Sequence, residues 1–109
     1  VAELPMFPLG TVLLPSVVIP LHVFEERYRA LVRHCIDGDG RFGVVLIARG
    51  SEVGGGDQRT EVGTAARILE AARFDDGRYA IAAVGEQRIR VRSWLPDDPY
   101  PRAEVEPFD

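Results

Sequence analysis

Few side chains in this chain could break a bond or hold a metal. Cys35, His22 and His34 are the only soft metal ligands, and Ser16, Ser51 and Ser93 are the serines available as nucleophiles. His34 and Cys35 are neighbours, and on a helix neighbours project about 100° apart, so the two cannot grip one ion. No motif sets a histidine and an acid beside any of the serines. All 13 basic residues are arginine. Without lysine neither a Ser–Lys dyad nor a phosphate-binding loop ending in Gly-Lys-Ser/Thr can be built, so Gly54-Gly55-Gly56 reads as a flexible loop and not a nucleotide site. No catalytic residue, metal or cofactor is expected.

What remains is recognition chemistry. Arg88, Arg90 and Arg92 alternate along a strand pattern and form a basic row with Trp94 on the same side, which is the signature an RNA-binding surface would show. Against it stands a net charge of −4, the wrong sign for a protein that holds nucleic acid by neutralising phosphates. Those arginines are better read as solvated or paired across strands with the 17 acidic residues. Glu26, Arg29 and Arg33 share the outward face of a helix, beside an exposed extended segment that contains Met6 and Phe7. Such a segment can offer apolar contacts, or edge hydrogen bonds by strand addition. Arg27, at the border of the helix's apolar face, reads as a structural pair.

The elements that position these residues follow from pattern. Prolines at 5, 8, 15 and 20 forbid a regular helix before Leu21 and favour short extended pieces, of which Val17-Val18-Ile19 is the best strand. A helix is expected over about 23–36, with Phe24, Tyr28, Leu31, Val32 and Cys35 on one face, stopped by Asp37-Gly38-Asp39-Gly40. Arg41 to Ala48, apolar on both faces, reads as a central strand, and 50–59 as a mobile loop. Val62 to Phe74 is a long strand requiring a bend. Asp75-Asp76-Gly77-Arg78 is a hairpin turn into a buried strand from Tyr79 to Val84. Gly85-Glu86 is expected to turn again into a half-exposed strand from Gln87 to Trp94, and Ala103 to Glu106 closes the set. The fold class is α+β, mainly β: about six or seven mostly antiparallel strands, curled, with one amphipathic helix packed on them.

With 109 residues the chain is expected to be one domain spanning 1–109. No apolar run reaches the ~20 residues of a membrane-spanning helix. A single cysteine excludes an internal disulfide and suits a cytoplasmic setting.

Leu4-Pro5-Met6-Phe7-Pro8-Leu9, Leu14-Pro15 and Pro20-Leu21-His22-Val23-Phe24-Glu25 with Arg27-Tyr28 together resemble the N-terminal, substrate-binding domain of the Lon protease family. So do Phe42-Gly43-Val44-Val45-Leu46-Ile47, Val62-Gly63-Thr64-Ala65, Asp76-Gly77-Arg78-Tyr79, and Gly85 with Arg88-Ile89-Arg90-Val91, in family order along nearly the whole chain. The resemblance implies a PUA-like pseudo-barrel and a non-enzymatic domain that holds unfolded or tagged polypeptides, or an adaptor protein. Self-association is left open. Its contacts would come from Met6, Phe7, Glu26, Arg29 and Arg33, around a groove between the first segment and the helix start. PUA-like folds also include RNA binders, so Arg88, Arg90, Arg92 and Trp94 stand as the alternative. Relatives continue into a helical part after the barrel, and nothing after Val105 reads as that part.

Overall fold

In the computed structural model, which describes residues 2–49 and 58–108, the opening prolines lie in a strand, β1 (Ala2–Leu9). The first half of β1 pairs antiparallel with β6 (Arg102–Pro107) and its second half pairs parallel with β3 (Arg41–Arg49). Each half therefore has a ladder partner on one side only, which accommodates Pro5 and Pro8 without an amide. β3 pairs with β4 (Gln58–Arg73), β4 with β5 (Tyr79–Leu95), and the far half of β5 returns to β6. Five strands thus close a ring, β1-β3-β4-β5-β6. The remaining strand, β2 (Val18–Val23), adds to the near half of β5 outside that ring. One helix, α1 (Glu26–Asp37), covers one face of the extension.

Alternation along the strands makes two cores. Met6, Val45, Ile89, Val91, Ala103 and Val105 meet inside the ring. Their neighbours Phe7 and Val44 point the other way, into a layer with Tyr28, Leu31, Val32 and Cys35 of the helix and with Phe42 and Ile81. Among the described residues, six strands and a helix agree with the expected architecture.

Several boundaries differ, each for a physical reason. The helix begins at Glu26 and not near 23, because Pro20 to Val23 are committed to the ladder with β5. Glu25 is still extended, and its carbonyl accepts the Tyr28 and Arg29 amides at 3.1 and 2.9 Å. Phe24, expected on the buried face, is 49% exposed. The strand expected at Val17-Val18-Ile19 runs instead over Val18–Val23. Of the expected loop over 50–59, residues 50–57 lie outside the described residues, while Gln58 and Arg59 already belong to β4.

The second tight turn at Gly85-Glu86 does not form. β5 passes straight through as 17 residues, with a register shift that leaves Glu86 between Gly85↔Ala66 and Gln87↔Ala65. Glycine is needed at 85 because a Cβ there would run into the Leu14 carbonyl oxygen. The loop before β2 is clamped against this spot. Ser16 donates its amide to Gly85 (2.7 Å), Gly85 donates to Val17 (2.9 Å), and the buried Thr64 hydroxyl donates to the Leu13 carbonyl (2.6 Å). The expected hairpin turn does form, with Gly77 at φ +90 and Phe74 and Arg78 joined by a 2.8 Å backbone bond.

Two outcomes follow. Gly85→Ala should cost about 2 kcal/mol by overpacking, read as a lower urea midpoint with unchanged slope. Cys35 is buried, its thiol donates to the Arg41 carbonyl at 3.4 Å, and burial, aided by the charge of Asp39, pushes its pKa up to about 12. Its proton is held more tightly folded than unfolded, so this contribution to stability is complete below the ordinary value of 9.0 and is lost as pH rises toward about 12. Cys35→Ala should lack that alkaline decline in a denaturation series, and native Cys35 should react with a thiol reagent only as fast as the fold opens.

Candidate functional site

The Phe7 and Tyr28 rings stack with centroids 4.3 Å apart and planes 4° from parallel. That leaves the opposite Tyr28 face for the Arg27 guanidinium, 4.6 Å from the ring centre. Arg27 in turn donates to Glu25 at 2.9 Å, with both side chains four-fifths buried. The stack pins the first turn of α1 over β1. Because the chain cannot enter the helix until after Glu25, a gap stays open between this stack and β2. The gap is a groove of about 180 Å³, lined by Phe7, Leu9, Pro20, Leu21, His22, Val23, Phe24, Glu25 and Tyr28.

From two of its lining residues, His22 and Phe24, an aromatic cluster extends to Phe74. His22 lies 6.1 Å from Phe24 and 6.3 Å from Phe74, edge-on to the latter at 88°. Arg78, tied to Asp76 at 2.7 Å, covers the Phe74 ring at 5.5 Å and reaches the His22 imidazole at 3.5 Å. Its hydrogen bonds from the Arg78 backbone and side chain hold the Asp76 carboxyl below its usual range. Phe24 and Phe74 remain 49% and 42% exposed, large for aromatic side chains.

The predicted contact residues divide. Met6 is fully buried inside the barrel, and Phe7 is 6% exposed with one ring face taken by Tyr28. The segment expected to be exposed is the second half of β1, where Met6 to Leu9 are buried on both faces. Met6 is withdrawn as a surface contact, and Phe7 contributes only the part of its ring that lines the groove floor. Glu26 is exposed and pairs with Arg29 at 3.3 Å. Arg29 does not project freely, being laid over Gly77 of the β4–β5 turn. Arg33 is exposed one turn further on, in a separate shallow pocket with Ile36, Asp37, Arg73 and Tyr79. None of these three lines the groove.

The residues that do line it from β2 to the helix start, Leu21, His22, Phe24 and Glu25, are not among the expected contacts, because 23–36 reads as helix with Phe24 on its buried face, and Leu21 and His22 read only as the end of the proline-rich extended segment. The available signal was the alternation of Val18, Pro20 and His22 with Ile19, Leu21 and Val23.

The basic row is also rearranged. Arg88, Arg90 and Arg92 are exposed, but a register shift between Val91 and Ser93 turns Trp94 inward, against the barrel core and under Arg59, 4.7 Å from its ring. Trp94 therefore does not share the row's face. Arg90 lies over Phe108 at 4.6 Å, and Arg92 pairs with Glu106 at 3.3 Å. Among the described residues no three His, Cys, Asp or Glu side chains gather as a metal would require, and no helix is long and apolar enough to cross a membrane.

Residues 3–109 match the family model of the ATP-dependent protease La (LON) substrate-binding domain. Lon protease 2 of Herpetosiphon aurantiacus is 34% identical over 107 residues, which are 95% of this chain and 13% of that protein. The crystal structure of a Lon N-terminal domain protein from Xanthomonas campestris superposes with a TM-score of 0.82 at 36% identity, over all of this chain and 61% of that one. The N-terminal domain of a Mycobacterium avium complex Lon protease shares the fold at a TM-score of 0.70 and 21% identity, over 99% of this chain and 55% of that one. The chain thus spans a small N-terminal share of the curated Lon protease. With the ring of five strands, the appended β2 and the single covering helix, these matches place the chain in the family of LON substrate-binding domains.

Proposed function

We propose that this domain binds polypeptide without transforming it, and that the groove between β1, β2 and the first turn of α1 is where it does so. The observation that carries the reading is an apolar groove in whose lining Phe24 stays half in water beside His22, with the exposed Phe74 ring against the far side of His22 under Arg78. Exposed aromatic surface of that kind is stabilised by covering it with apolar groups of a partner. The family's description as a substrate-binding domain supports the same reading.

The clients are unfolded or tagged segments, delivered directly or by an adaptor, in a cytoplasmic setting that suits the single buried thiol. Glu26 and Arg29 lie beside the groove as part of a charged rim, and Arg33 extends that rim along the helix. The negative net charge and the internal engagement of Arg90 and Arg92 speak against nucleic acid as the partner.

The test is titration of a fluorescent, permanently unfolded polypeptide, followed by anisotropy. Phe24→Ala, at an exposed position, should leave the melting temperature unchanged and weaken binding about tenfold, equivalent to about 1.4 kcal/mol. Arg88→Ala with Arg90→Ala should leave it unchanged, and moderate salt should matter little. Absence of binding, or binding insensitive to Phe24→Ala, would overturn the assignment of the groove. Salt-sensitive retention of single-stranded RNA, lost with the arginine changes, would overturn the function.

A further inference from the structure

The groove does not lie over one face of β2. Consecutive residues Pro20 to Phe24 all line it, and consecutive residues of a strand face opposite ways, so the groove follows the strand's edge. That edge is unpaired, since among the described residues β2 has β5 as its sole ladder partner.

Which polar groups the edge presents follows from the ladder. Gly85 donates its amide to the Val17 carbonyl. In an antiparallel pair the polar groups alternate in direction along each strand, so Ala83, Ile81 and Tyr79 turn theirs to Ile19, Leu21 and Val23, their register partners. Val18, Pro20 and His22 therefore turn theirs outward. Pro20, which has no amide, stands where a missing N–H leaves the β5 ladder intact. The outer edge offers the N–H and C=O of Val18, the C=O of Pro20, and the N–H and C=O of His22.

We propose that the client enters as an added strand, an extended segment hydrogen-bonded to the Val18–Pro20–His22 edge of β2, with every second side chain lowered into the groove against Leu9, Leu21 and Tyr28. This rests on the polypeptide-binding reading and specifies its mode. Another extended backbone is the partner whose chemistry complements an unpaired strand edge, and the apolar groove beside it sets the alternation. The Glu25 carboxylate at the groove is taken up by Arg27, so the segment received is uncharged. The absent amide at Pro20 interrupts the edge, which favours short pairing and discourages open-ended stacking of copies.

The test keeps the protein wild type. A fluorescein-labelled hexapeptide alternating valine and threonine is titrated beside two twins, N-methylated at alternate amides in one register or the other, with amide exchange at Val18 and His22 followed by NMR. The parent peptide should compete with the unfolded polypeptide. One twin should lose about tenfold in affinity, the worth of one or two hydrogen bonds. The other should bind as the parent does, and exchange at the two amides should slow on binding.

Equal affinity of all three peptides, failure of the parent to compete, or unslowed exchange would overturn strand addition while leaving polypeptide binding intact. Loss of all polypeptide binding would overturn both. A concentration-dependent dimer that protects the same two amides without peptide would assign the edge to a second copy, and would also overturn the proposal.

Discussion

Successive side chains of a strand face opposite ways, and at Met6 and Phe7 that rule divides the molecule. Met6 fills the ring of five strands, against the space left by Gly43, while Phe7 points to the helix and stacks on Tyr28. A one-residue slip of β1 would exchange the two and leave neither core filled. The closed ring, the seat of the helix and the groove beside it all depend on this register.

The groove is what remains when two demands on one stretch of chain cannot both be met. Residues 18–23 pair with β5, so the helix starts only at Glu26, and Phe24 is left in water between them. Arg27 closes the stack over Tyr28 and neutralises Glu25. The floor is consequently apolar, with its one carboxylate paired. Charges gather around it, on Glu26 and Arg29 and at the Asp76–Arg78 pair, where water still reaches them and each pair contributes little to stability. A surface of this kind suits recognition in which apolar burial supplies affinity and rim charges shape selectivity.

Much was legible without coordinates because it is written in local pattern. The helix face of Tyr28, Leu31, Val32 and Cys35, the Asp-Gly turn before Tyr79, and the doubly apolar run from Phe42 to Ile47 each announce themselves within a few residues. The family motifs extended that legibility to the barrel. The boundaries that shifted share one cause, which is that a distant strand outcompeted local preference. Pro20 to Val23 were claimed by β5. Gly85 reads as a turn residue, yet the passing Leu14 carbonyl, not a turn, is what requires it to lack a side chain.

By itself the sequence determined that the chain is a mostly β domain with one covering helix, and that neither a Ser–Lys dyad nor a lysine phosphate loop can be built from these residues. These follow from residue type and from the periodicity of the longer runs, which persists even where long-range pairing moves an element's ends. Tertiary structure alone decided which apolar residues are available. Met6 stands in a proline-flanked run that reads as exposed and Phe24 on a helix face that reads as buried, yet ring closure buries the first completely, and the competition between β2 and α1 exposes the second. It also turned Trp94 away from its arginines through a single bulged residue. Exposure depends on which strands meet, and strand pairing is a contest between segments far apart in sequence.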